Sequence, residues 1–206
     1  MKKTNILLFL LLYAATACAQ QRFVPGLKLG ISTSQVRGDS YTGFHKAGVV
    51  GGATLTTNFN KTWSAQFEMI YVQKGSKQVY NSGTADTGFF YYLGLNYLEV
   101  PVFVQYHLHK FTFELGPSFG YLIDETEYYN TQDLTGMRPF KKTETSLSVG
   151  VSFTLFKKLG VNWRYTNSLL SIRDFAATGG TWDTEGQRNN VLAFSLTYQF
   201  KKNEPK

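Results

Sequence analysis

The sequence predicts an all-β chain folded as an eight-stranded antiparallel up-and-down transmembrane β-barrel. Three observations lead there. Eight segments alternate apolar and small polar residues with period two, most over about ten to fourteen residues. That is longer than the usual strand of a soluble sheet, and long enough to cross a bilayer when tilted. The connections alternate short and long, which in an even-stranded meander puts every long loop at one end. The apolar face is large and aromatic, and the opposite face is small and polar.

The first segment sets Leu27, Leu29 and Ile31 against Gly26, Lys28, Gly30 and Ser32. The second sets Val49, Ala53 and Leu55 against Gly52, Thr54 and Thr56, and the third sets Trp63, Ala65, Phe67, Met69 and Tyr71 against Ser64, Gln66, Glu68, Ile70 and Val72. In the fourth, Leu98, Val100, Val102, Val104 and Tyr106 share one face, and Tyr97, Glu99, Pro101, Phe103 and Gln105 the other. The fifth places Phe111, Phe113, Leu115, Phe119 and Tyr121 opposite Thr112, Glu114, Gly116, Ser118 and Gly120. The sixth runs from Ser146 to Leu155, the seventh pairs Val161, Trp163 and Tyr165 with Asn162, Arg164 and Thr166, and the eighth alternates from Leu192 to Phe200. Short connections fall near Asn60 and Lys61, at 107–110, and at Lys157 and Lys158; long ones span 36–46, 75–91, 124–142 and 171–189.

Polarity decides which face meets lipid. A soluble barrel keeps its grease inside. Here Gly, Ser, Thr, Asn and Gln fill one face, which suits a narrow interior that has to close. Trp63, Tyr71, Tyr106, Phe111, Tyr121, Trp163 and Phe200 lie near strand ends on the other face, where interfacial girdles belong. The competing reading is a soluble sandwich with ordinary core aromatics.

The chain has 206 residues, enough for one domain, with 13 Tyr, 17 Phe and 19 Gly but only 5 Pro. Residues 1–19 read as a secretory signal: Lys2 and Lys3, an apolar core from Ile6 to Tyr13, and a small-residue site at Ala17-Cys18-Ala19. Residues 20–206 are then the barrel, and a cytoplasmic enzyme is excluded. The alternative is lipidation at Cys18, although Ala15 stands where a lipoprotein box wants a larger aliphatic. Without the signal the chain keeps 19 basic and 14 acidic residues, a net charge of +5, and no Cys. The positive excess sits in loops and the tail, so it is no nucleic-acid stripe.

Five charges fall on the small polar face: Lys28, Glu68, Glu99, Glu114 and Arg164. On a lipid face each would be costly; in the lumen they can pair. Eight strands leave an interior that side chains just fill, so these five are expected to plug the barrel. Glu99 is expected to partner Arg164 and Lys28, and Pro101 to cause a bulge or a weakened pair, because it lacks an N–H. Paired carboxylates also serve glycoside hydrolysis, but that chemistry needs a cleft open to substrate. His107 and His109, at i and i+2, would share a strand face and a metal, yet no third ligand is near; His45 lies in a long loop. No His stands beside a Ser with an orienting carboxylate. Phosphate-loop, zinc and nucleophile-elbow motifs are missing from the sequence, so no catalytic residue, metal or cofactor is expected.

AQFEMIYVQKG and NYLEVPVFVQYHL together resemble the paired motif of PorT-like outer-membrane barrels, often labelled porin family: Glu68, Tyr71, Lys74 and Gly75, then Tyr97, Leu98, Glu99 and Pro101. Gly116-Pro117, Arg164-Tyr165 and the closing LAFSLTYQF resemble later strands of that family. The resemblance covers nearly the whole chain after residue 19. It implies an eight-stranded barrel in the bacterial outer membrane, without implying porin activity. KKNEPK after Phe200 departs from the common ending at the last aromatic.

The expected function is that of a structural or ligand- or partner-binding barrel with long extracellular loops, where Tyr41, Phe44, Tyr128, Tyr129 and Trp182 are the candidate contacts. The bland alternative is that these aromatics pack on one another. A small passive channel and a lipid-modifying enzyme are the rival functions. The expected surroundings are outer-membrane lipid and lipopolysaccharide, and the barrel-assembly machinery during biogenesis; the chain is expected to be a monomer that binds no nucleic acid.

Overall fold

The structure, a computed structural model, describes residues 23–39, 41–80, 89–174 and 186–200. The leader with Cys18, the loop residue Trp182 and the tail after Phe200 lie outside the described residues. The chain forms β1 (Phe23–Arg37), β2 (Lys46–Asn58), β3 (Trp63–Tyr80), β4 (Phe89–Leu108), β5 (Phe111–Tyr129), the two-residue β6 (Gln132–Asp133), β7 (Thr143–Phe156), β8 (Leu159–Ser168) and β9 (Arg188–Gln199). Eight of these are wall strands, each antiparallel to its chain neighbours, and β1 pairs with β9. That last pairing, from Gly26↔Gln199 to Arg37↔Arg188, closes the sheet and removes its edges.

The faces lie as the alternation requires. Leu29, Ile31, Val104, Leu115, Phe119 and Val149 are exposed, while Lys28, Glu68, Glu99, Glu114, Ser148 and Arg164 are buried. Inverting a water-soluble pattern in this way is stable only in lipid. At the mouth with the short turns, aromatics pair along the belt: Trp63 with Tyr106 at 5.0 Å between centroids, Phe111 with Phe153 at 5.1 Å, and Tyr198 with Phe200 at 5.6 Å.

Three strands outrun their expected ends. β3, β4 and β5 have 18, 20 and 19 residues, where about 9–11 suffice for a crossing. Residues assigned to long loops at 75–80, 89–91 and 124–129 are therefore strand. Tyr80↔Phe89 and Tyr91↔Tyr129 carry the ladder on, so a sheet flange stands above the lipid belt. Gly75 marks the place where β3 leaves the belt: its φ of 135° is a left-handed-side value, and a Cβ there would lie 2.0 Å from the Leu93 carbonyl oxygen.

Of the two outcomes expected at Pro101, the structure has the weakened pair and not the bulge. The register shifts between Asn96 and Tyr97 against β5, not at Pro101. Around Pro101 the ladder lapses without changing register, between Phe67↔Val102 and Ile70↔Glu99. The missing N–H is absorbed as a locally weakened pair.

Candidate functional sites in the lumen and at its mouths

Counting inward from the short turns, the lumen is a stack of layers. The first layer is a four-membered ion network drawn from β1, β3, β5 and β8. Arg164 donates from Nη1 and Nη2 to the two oxygens of Glu68 at 2.7 and 2.9 Å, and from Nε to Glu114 at 2.8 Å. Lys28 donates to Glu68 at 2.7 Å and to Asn162 at 3.3 Å; Asn162 in turn donates to Glu114 at 2.9 Å. Two cations face two carboxylates, so the layer is neutral as a whole. Gly150 leaves room for it, since a Cβ there would sit 2.5 Å from a Glu114 oxygen. Arg164 also lies over the Phe103 ring, 4.1 Å from its centroid.

Glu99 is not in this layer. It belongs to a second one, where the Lys74 ammonium sits between Glu99 and Glu144. Glu144 also accepts from Ser168 at 2.6 Å and from Asn189 at 2.9 Å, and Ser118 donates to Glu99 at 3.3 Å. The partners expected for Glu99, Arg164 and Lys28, lie toward the short-turn mouth: Glu99 stands opposite Ile70, two residues past the level of Glu68, and opposite Gly120, six residues past Glu114. Lys74 and Glu144 lie just outside the alternating segments of the sequence, two residues after Val72 and two before Ser146. Both continue the lumen-facing parity of their strands, so carrying the alternation one step further reveals them.

Between and above these layers Val36, Val50, Ile70, Val72, Leu93, Leu95, Leu122, Phe140 and Ile172 form a buried apolar plug. The void left between the two ion layers is about 20 Å³, room for about one water.

The lip is clamped over the plug by Arg173. Its guanidinium donates to both oxygens of Glu127 at 2.7 and 3.0 Å, to Gln187 at 2.9 Å and to the Arg138 carbonyl at 3.1 Å, and it covers Phe140 at 4.0 Å. Tyr91 donates to Glu127 at 3.0 Å. Burial alone would raise the Glu127 carboxyl, but the hydrogen bonds and charge of Arg173 outweigh it and hold the group below its ordinary value.

The candidate loop aromatics divide. Tyr41 stacks on Tyr91 at 4.6 Å and leans on Phe89 at 5.8 Å, and Phe89 stacks on Tyr129 at 6.3 Å. Those rings pack on each other. Phe44 is half-buried, and its carbonyl accepts from Thr33. Tyr128 is exposed on the flange beside Val79 and Phe90; Trp182 lies outside the described residues.

At the opposite mouth a vestibule of about 370 Å³ opens among the short turns, with Lys28, Gln66 and Gln105 deep inside it and Lys61, Lys110, Lys157 and Lys158 around its rim. His107 accepts or donates at both ring nitrogens, to Ser64 at 2.7 Å and Thr112 at 2.9 Å. A Ser–His contact therefore does exist at a strand end, which the sequence reading did not foresee. His109 does not share a strand face with His107: β4 ends at Leu108, and His109 has the left-handed φ of 56° in the turn.

Among solved structures, Ail, the attachment invasion locus protein of Yersinia pestis, is 12% identical over 87% of this chain and 99% of its own, with a TM-score of 0.49. Neisserial surface protein A is 14% identical over 86% and 97%, with a TM-score of 0.49, and OprG from Pseudomonas aeruginosa 12% identical over 87% and 97%, with a TM-score of 0.40. No curated protein matches the sequence. Residues 18–174, about three quarters of the chain, match the family described as outer membrane protein beta-barrel domain. With its closed eight-stranded wall, apolar exterior and ion-filled interior, the chain belongs to that outer-membrane β-barrel family.

Proposed function

We propose that this protein is a non-conducting outer-membrane barrel that works through its extracellular lip, by binding a ligand or partner. The observation that carries the reading is the sealed lumen: two ion layers, an apolar plug and an Arg173 clamp lie in series, with about 20 Å³ free between the ion layers. The flange above the belt supports it from the other side. It is a paired, rigid sheet that holds Val79, Phe90, Tyr128 and Tyr129 partly open to solvent. Aromatic surface on a rigid support binds at low entropic cost.

Three finer readings go with it. The motif at Glu68, Tyr71, Lys74 and Gly75, continued at Tyr97 to Pro101, supports a place among PorT-like barrels. The leader, with its positive start and small-residue site, supports export and cleavage after Ala19; the lipid-facing belt supports a monomer surrounded by outer-membrane lipid and lipopolysaccharide. A binding role is favoured over an enzyme because Ser64, the hydroxyl nearest His107, is fully buried and meets Gln105 and His107 instead of open space. An unchanged lipid A profile in a deletion strain is the corresponding expectation.

Planar bilayers test the sealed barrel. The purified protein is expected to give no steady openings. Steady openings that Ser148→Phe abolishes would replace this reading with a passive channel, since Ser148 borders the residual void.

A further inference from the structure

We propose that the vestibule at the short-turn mouth is a binding site for a multiply charged phosphate-type oxyanion. Three turns that are remote in sequence meet there, and each brings lysine: Lys61 between β2 and β3, Lys110 between β4 and β5, and Lys157 with Lys158 between β7 and β8. None of the four makes an ion pair with a described residue. The described lining holds no Asp or Glu at all.

The floor does not neutralise them. Below the vestibule Glu68 and Glu114 are both paired with Lys28 and Arg164 in a neutral layer. Four cations therefore converge on a concave space with no counter-charge among the described residues, and their mutual repulsion is relieved by an anion. The walls between them supply neutral hydroxyl donors, among them Thr154 and Thr197. The volume of about 370 Å³ matches a small ligand at the low end of ordinary binding sites. Several point-charge ammonium groups around hydroxyls and amides favour a compact ligand with more than one negative charge. A phosphate group carries about −1.5 to −2 at neutral pH. A free pyrophosphate and a phospholipid headgroup reaching over the rim share this chemistry.

The test uses the full chain folded in detergent, titrated calorimetrically with pyrophosphate against sodium chloride of equal ionic strength. Saturable one-to-one binding is expected, and the double variant Lys110→Gln/Lys158→Gln should weaken it about tenfold. Its heat-modifiable gel shift should match wild type, because neither lysine supports the wall. Repeating the titration in nanodiscs separates the sources. Loss of binding in phosphatidylglycerol but not phosphatidylcholine discs assigns the site to a headgroup, and equal binding in both assigns it to a soluble phosphate. Absence of saturable binding overturns the proposal, as does binding indifferent to the double variant. Binding that appears only in Glu204→Gln would hand the mouth to the chain's own tail, and would also overturn it.

Discussion

Arg164 is the residue on which the first ion layer depends. Among the described residues it is the only group that bonds both Glu68 and Glu114. Leucine there would leave two buried carboxylates to one lysine, and breaking a buried pair costs about 3–5 kcal/mol. Arg164→Leu should therefore unfold at clearly lower temperature in a heat-modifiability gel; an unshifted midpoint would sink the network as a source of stability. Glu127 makes a pH-dependent counterpart at the lip. Its folded value lies below the ordinary 4.5, so the stability it contributes is present above pH 4.5 and is lost as pH falls through the folded value. Amide exchange at Lys141, whose N–H donates to the Ile172 carbonyl at 2.7 Å, reads the lip directly. After correction for the intrinsic rate, its protection should fall on acidification in wild type and already be low in Glu127→Gln. Equal, pH-independent protection in both would show that the Arg173 clamp does not hold the lip.

At the scale of the strand, the two faces obey different solvents. Val102 is exposed on the outer face of β4, and Ser148 is buried on the inner face of β7. An aspartate at Val102 would put a charge in hydrocarbon, at a cost approaching the roughly 2–4 kcal/mol of a basic residue at midplane. Val102→Asp is expected to block membrane assembly. Ser148→Ala loses one hydroxyl contact, to Thr166 at 2.7 Å, and should assemble normally; equal yields of folded protein from the two would refute the face assignment. The strand scale is also where the sequence reading stopped short. Alternation was legible wherever one face met lipid. It faded above the belt, where Leu93 and Leu95 are buried as lumen-facing residues while the outer face turns to Tyr92, Gly94 and Asn96. With no lipid to demand grease outside, the pattern no longer announces a strand, and the flange resembles loop in the sequence.

For the whole molecule, the seals act in series. Opening one leaves the others shut, so Arg164→Ala is expected to stay silent in planar bilayers even though it loses stability. Steady current from that single variant would mean that the first ion layer is the sole barrier, and that the apolar plug and the Arg173 clamp leak. The same axial order separates the two mouths. One is capped by packed aromatic and ion-paired side chains, the other is open and lined with lysines that make no ion pair with a described residue. A barrel built this way offers two unlike surfaces at its two mouths.

The sequence by itself determined the wall: eight strands, which face meets lipid, and that Lys28, Glu68, Glu99, Glu114 and Arg164 point inward. It could do so because a bilayer imposes period-two chemistry on every crossing, and that period is readable locally. Only the tertiary structure decided who pairs with whom. Strand stagger around the closed ring sets each residue's depth, so Glu99 meets Lys74 and Glu144 while Glu68 and Glu114 share Arg164. It also decided that the lysines of three separate turns share one vestibule. Depth and convergence are properties of the closed ring, and neither is written in the spacing of any one strand.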